Sequence, residues 1–268
     1  MINEKIFLDE NDKRVVLETY AHVDPLMPKR DAILIFPGGG YQHLASFREG
    51  DCIATAYASR GVNAFVLSYR LGPENNYPSQ IIDAARAMAY IKNNAEKYGI
   101  DPDRVFTVGF SAGGHLCGSL ATKYRVAEEL LGLAENTARP AGSVLCYPVV
   151  SAMCPTHTGS FSALVGKPFD ELTEQERRLH SNELHVNEKT PPAFIWHTAT
   201  DNAVPPDGAL RLALAYINAG VTVEMHLYPY GPHGIALATE LTSNGTESFI
   251  QPRAEEWVDK SVSWMKTL

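Results

Sequence analysis

The sequence predicts an α/β fold: a mostly parallel central sheet with helices on both faces and an antiparallel hairpin at its amino end. Three observations carry that expectation. Continuous apolar runs such as Ala32-Ile33-Leu34-Ile35-Phe36 have the composition of strands covered on both faces. Such runs alternate with segments of helical period, and that alternation implies parallel strands joined by crossover helices. A chain of 268 residues can bury about three quarters of its unfolded surface in one core. One domain over 1–268 is therefore expected, interrupted by an insertion at 151–190.

In chain order, Lys5 to Asp9 and Val15 to His22 carry strand residues, with Asn11-Asp12 between them as the turn of a hairpin. Asp24-Pro25 and Met27-Pro28 break that pattern. The apolar run ending at Phe36 passes into Pro37-Gly38-Gly39-Gly40-Tyr41, where consecutive glycines can turn several backbone N–H groups toward one point. Glu49 to Arg60 fits a helix closed by Gly61, and Ala64 to Tyr69 is the next strand. After a loop bracketed by Pro73 and Pro78, Ser79 opens a helix whose stripe of Ile82, Ala85, Ala89, Ile91 and Ala95 ends at Gly99.

Asp101-Pro102-Asp103 turns the chain into Val105-Phe106-Thr107-Val108-Gly109-Phe110-Ser111-Ala112-Gly113-Gly114. Here a strand runs into Gly-x-Ser-x-Gly and straight on into a helix. A strand that turns this sharply exposes the residue at its tip, and small neighbours allow the turn, so Ser111 is presented as a nucleophile. Gly142 to Val150 reads as a further buried strand. The stretch 151–190 is rich in Pro, Ser, Thr and Glu and holds one expected helix, Thr173 to His180; at a strand's carboxyl end it reads either as a partial lid or as a surface excursion. The pattern resumes with a strand from Pro192 to Asp201, a helix from Asp207 to Ala219 and a strand from Val221 to Tyr228. A loop Pro229-Tyr230-Gly231-Pro232-His233-Gly234 and an amphipathic helix from Arg253 to Lys266, with Trp257 and Trp264, close the chain.

Composition narrows the class. A net charge of −8 argues against a nucleic-acid partner, since phosphate binding needs clustered Lys and Arg. No run reaches the about 18 apolar residues of a membrane span, and acidic residues within the first ten positions are foreign to a signal peptide. Cys52, Cys117, Cys146 and Cys154 lack metal-ligand spacing, which suits buried reduced thiols in a cytoplasmic protein, although an even count leaves two disulfides open. No metal or cofactor is expected.

A serine hydroxyl needs a base, and the base needs a group that holds its tautomer. Functional groups of open α/β sheets gather beyond the carboxyl ends of the strands. Of nine histidines, His233 follows the last strand in a rigid loop, whereas His226 and His197 lie inside strands and read as core or surface residues. The acid lies between serine and histidine in this architecture. Asp201 directly follows the penultimate strand. Asp207, the reserve, is already accounted for by the helix it begins. The order Ser111, Asp201, His233 completes the set.

Gly109-Phe110-Ser111-Ala112-Gly113-Gly114-His115-Leu116 and Pro37-Gly38-Gly39-Gly40-Tyr41 resemble the esterases of the α/β-hydrolase fold, and among them small bacterial acetyl esterases of the carbohydrate and xylan acetyl esterase type. The resemblance runs from about Ile33 to the carboxyl terminus and departs from the family in one place, where Pro37 stands for the histidine of His-Gly-Gly-Gly. It implies hydrolysis of short acyl esters through an acyl-enzyme, with Gly39, Gly40 and Ala112 amides as oxyanion donors. The implied partner is a small acyl ester, by family a sugar acetate. Tyr41 is the expected substrate contact, with Tyr77 and Trp196 as further candidates for stacking on a sugar. The sequence leaves the oligomeric state open, with a homodimer the commonest assembly in general. Two alternatives stand beside this reading: a serine peptidase of prolyl-oligopeptidase type, and a non-catalytic ligand-binding protein that kept the fold.

Overall fold

The computed structural model describes residues 2–268. Eight strands form one sheet: β1 (Lys5–Phe7), β2 (Val16–Tyr20), β3 (Arg30–Phe36), β4 (Asn63–Ser68), β5 (Ile100–Phe110), β6 (Ser143–Cys146), β7 (Ala193–Thr198) and β8 (Val223–Tyr228). Their order across the sheet is β1-β2-β4-β3-β5-β6-β7-β8. The hairpin β1–β2 joins β4 antiparallel, and every pairing from β4 through β8 is parallel. Order reverses at β3, the topological switch beside which β5 ends.

The apolar runs are buried on both faces because successive side chains alternate. Ala32, Leu34 and Phe36 of β3 enter one core layer, and Ile33 and Ile35 enter the other. The first layer is covered by α2 (Ser79–Asn93), α4 (Ala112–Leu131) and α7 (Asp207–Asn218), through residues such as Met88, Leu120 and Leu212. On the opposite face pack α1 (Cys52–Ala58) and α8 (Trp257–Met265), through Tyr57, Trp257 and Trp264. α3 (Ala95–Tyr98) is a single turn ended by Gly99 in the left-handed region. Cys52, Cys117 and Cys146 are buried free thiols and Cys154 is half-buried.

Several elements differ from expectation. The helix expected from Glu49 begins with a π-helical turn, Ser46–Asp51, which buries Glu49. β6 stops at Cys146, because Tyr147 takes a positive φ of 35°. The final helix starts at Trp257, four residues later than expected. The insertion holds two helices where composition indicated one: α6 (Glu174–Leu179), capped by Thr173 through a capping box with Glu176, and the unforeseen α5 (Thr158–Val165). α5 is stabilised from outside itself, by Phe161 packed in a small apolar cluster with Val149, Ala152, Leu172 and Val204. Among the described residues no helix is long and apolar enough to cross a membrane.

Candidate active site

β5 ends at Phe110, and Ser111 stands between strand and helix with φ 53° and ψ −117°, a conformation side chains adopt only under constraint. A Cβ on Gly109 would lie 2.2 Å from the Gly113 carbonyl oxygen, and one on Gly113 would lie 2.1 Å from that of Phe36. The elbow therefore closes only with hydrogen at both positions. The Ser111 N–H donates to the Cys146 carbonyl at 3.1 Å, and its own carbonyl accepts from Val149 and His115. Ser111 is thus pinned across the end of β6.

The loops after β7 and β8 supply the other two groups. They are tied together by the Thr198 and Thr200 hydroxyls, which both donate to the Gly231 carbonyl. His233 Nδ1 lies 2.6 Å from Asp201 Oδ2, and its Nε2 lies 2.7 Å from Ser111 Oγ. All three residues singled out in the sequence meet. A carboxylate can only accept, so the proton of a neutral His233 resides on Nδ1 and Nε2 is left to accept from the serine. The His233 ring also packs edge-on against Tyr147, with centroids 5.0 Å apart.

Asp201 is buried, and its Oδ1 accepts from the Ala203 and Val204 amides at 3.0 and 2.9 Å. Burial by itself would raise the carboxyl pKa, but the imidazoles of His197 and His233 beside it outweigh that and hold Asp201 well below the usual carboxylate range. His197 was read from the sequence as a core or surface residue. It is wholly buried, and its Nε2 donates to the Val204 carbonyl at 2.9 Å while lying 3.3 Å from Asp201 Oδ2, which sets an imidazole N–H beside the acid. Nothing local marks it, because a histidine four residues before an aspartate is unremarkable until the strand end folds back. His226 pairs with Glu224 on β8 instead, and Asp207 is exposed at the first turn of α7.

The glycine loop lies beside Ser111. Gly39 and Gly40 have φ of 130° and 66°, and a Cβ on Gly39 would meet the His43 carbonyl oxygen at 2.1 Å. The amides of Gly39, Gly40 and Ala112 donate to no group among the described residues. With Pro37 in the family's histidine position, other groups hold this loop. The Gly38 N–H donates to Glu49 Oε2 at 2.8 Å, and the Tyr69 hydroxyl donates to the Pro37 carbonyl at 2.6 Å. Buried Glu49 in turn accepts from the Tyr147 hydroxyl at 2.8 Å, and that hydroxyl accepts from the Ala236 amide at 3.0 Å.

Tyr41 corrects an expectation. Its side chain is 1% exposed and turns away from the cleft, with its hydroxyl 2.8 Å from His115 Nδ1. His115 Nε2 lies 2.8 Å from the His180 carbonyl, so Nε2 donates and Nδ1 accepts from the tyrosine. Burial, then the charge of Lys123, pushes the His115 pKa down to about 3, which keeps this bridge neutral. Tyr41 therefore fastens the glycine loop to α4 and the insertion, and its side chain is not part of the cleft wall. Trp196 is likewise core, and Tyr77 packs against His180 at 4.8 Å.

A cleft of about 440 Å³ opens over Ser111 and His233. Its wall includes Gly39, Gly40, Gln42, His43 and Ala203, with His157 and Gly159 contributed by the insertion, and it holds no Val, Leu, Ile, Phe, Tyr or Trp. Among the described residues no group of three or more His, Cys, Asp or Glu side chains is placed to hold a metal ion.

Known proteins resemble this chain in sequence and in fold. The BD-FAE family model matches residues 27–215, a span that includes the glycine loop, Ser111 and Asp201 and stops short of His233. An endo-1,4-beta-xylanase B from Butyrivibrio fibrisolvens is 37% identical over 84% of the chain and 35% of its own length. An acetylxylan esterase from Xylanibacter ruminicola is 30% identical over 80% of the chain and 43% of its own length, so the chain spans less than half of either relative. The crystal structure of an acetyl ester-xyloside bifunctional hydrolase from Caldicellulosiruptor lactoaceticus superposes with a TM-score of 0.83 at 31% identity, covering 98% of this chain and 96% of that one.

Proposed function

This chain belongs to the BD-FAE family, among the carboxylic ester hydrolases of the α/β-hydrolase fold, and from that premise we propose that it is a serine esterase removing short acyl groups, acetyl foremost, from hydroxylated alcohols such as sugars. The observation that carries this reading is the unbroken hydrogen-bonded relay from Ser111 through His233 to Asp201. His233 Nε2 takes the Ser111 proton as Oγ bonds to the ester carbonyl carbon, and the carbonyl electrons move onto oxygen. The free amides of Gly39, Gly40 and Ala112 stabilise that oxyanion, while Asp201 stabilises the imidazolium. Collapse breaks the bond to the alkoxide, which leaves with the proton from His233. Water then gives a proton to His233 and attacks the acyl-enzyme, releasing the acid and restoring the serine.

Two features support the acyl and alcohol classes. The walls offer glycine, alanine and hydrogen-bonding side chains but no large apolar side chain, which suits a short acyl chain and a polar alcohol. The names of two relatives, an acetylxylan esterase and an acetyl ester-xyloside hydrolase, point to the same chemistry. Ser111→Ala is expected to lower kcat toward p-nitrophenyl acetate by about 10⁶, to background, with an unchanged circular dichroism spectrum. Substantial residual turnover refutes Ser111 as the nucleophile.

A further inference from the structure

We propose that His157 is the specificity-determining contact by which the inserted segment recognises the alcohol half of the ester, its Nε2–H donating a hydrogen bond to a hydroxyl or ring oxygen of that alcohol. The inference rests on the esterase reading and deepens it. His157 is the N-cap of α5 and lines the same cleft as Ser111 and His233. Its ring sits over the glycine loop: a Cβ built on Gly40 would be 3.7 Å from its Cε1.

The tautomer follows from the cap. The Ser160 backbone N–H donates to His157 Nδ1 at 3.2 Å, and an amide nitrogen can only donate, so Nδ1 carries no proton. The Ser160 hydroxyl adds a second contact to the same atom at 2.9 Å. In the neutral ring the proton is therefore on Nε2, which has no hydrogen-bond partner among the described residues. Burial, then the charge of His233, lowers the His157 pKa, consistent with a neutral ring. His157 and His233 line the same cleft, into which the departing alcohol must project to receive its proton. Because the cap already fixes the ring, the donor is oriented before substrate arrives, and little side-chain entropy is lost on binding.

Two substitutions separate donor from cap. His157→Asn keeps a side-chain acceptor near the position of Nδ1, and asparagine is among the best N-caps, but it has nothing at the reach of Nε2. His157→Gln places an amide donor near Nε2 and surrenders the cap. The probes are p-nitrophenyl acetate and an acetylated xylo-oligosaccharide. For His157→Asn the ratio of kcat/KM for the sugar acetate to that for p-nitrophenyl acetate is expected to fall about tenfold, the worth of one net hydrogen bond, mainly through KM. His157→Gln is expected to recover part of that ratio. An unchanged ratio in His157→Asn, or a larger fall in His157→Gln, overturns the inference by showing either no contact or a role confined to the cap. A parent protein that cleaves p-nitrophenyl acetate but not the sugar acetate overturns it too. One that cleaves neither overturns the esterase reading and this inference with it.

Discussion

Asp201 accepts three hydrogen bonds in a buried position, two from backbone amides and one from His233, with the His197 Nε2 a further 3.3 Å neighbour. Those donors explain how a carboxylate stays charged without water, and they fix which oxygen faces His233. Asp201→Asn preserves shape while replacing an oxygen acceptor with a group that can also donate, so His233 can no longer be held in the one tautomer that accepts from Ser111. The expected result is a drop in kcat toward p-nitrophenyl acetate of about 10⁴, together with a lower urea midpoint, since an amide has one acceptor oxygen where the buried carboxylate uses two. A loss under tenfold would show that Asp201 does not set the tautomer. Tyr41 carries the opposite lesson, since its place beside an oxyanion glycine says nothing of direction, and the left-handed φ of 61° turns its side chain into the core.

Three elements are locked together by one buried pair. The π-helical turn at Ser46–Asp51 turns Glu49 inward, the end of β6 turns Tyr147 toward it, and the loop after β8 brings the Ala236 amide to the same hydroxyl. A π turn often marks a functional position, and here the extra residue points a carboxylate at the backbone of the glycine loop. Tyr147→Phe removes one hydroxyl and leaves both Glu49 Oε1 and the Ala236 N–H without a partner. Buried polar groups so orphaned cost about 1–3 kcal/mol, and the glycine loop loses its anchor to the His233 loop. The expected outcome is a lower urea midpoint together with a kcat reduced by at least about tenfold. Retention of both would mean that Glu49 holds the loop without Tyr147.

The whole molecule carries its histidines in a way that ties stability to pH. His115 and His180 sit in the seam between α4 and the insertion, and burial, then the charge of Lys123, lowers their pKa values to about 3 and about 4. The ordinary value is 6.5. Between those limits the unfolded chain binds protons that the folded chain refuses, so stability is full above about pH 6.5 and declines as the pH falls toward about 4. Each such histidine contributes up to about 1.4 kcal/mol per pH unit within that window. Urea unfolding at pH 7.5, 6.5 and 5.5 is expected to show falling midpoints, with a shallower fall in His115→Gln. Midpoints independent of pH over this range would place those rings in contact with water.

The amino-acid sequence alone determined the features that depend on neighbours along the chain. Strand and helix alternation follows from apolar period, the elbow from glycines on either side of Ser111, and the place of Asp201 and His233 from being the residues that follow strands. These are local requirements of backbone geometry and burial, so a linear pattern states them, and the parallel sheet with its amino-terminal hairpin emerged as expected. Only the tertiary structure decided which way side chains point and which distant partners they meet. Glu49 and Tyr147 lie 98 positions apart, His197 reaches Asp201 only because the chain folds back after β7, and α5 exists because Phe161 finds a cluster to enter. No period or spacing encodes such contacts: packing across the sheet brings these groups together, and each is then held by the cost of burying a polar atom without a partner.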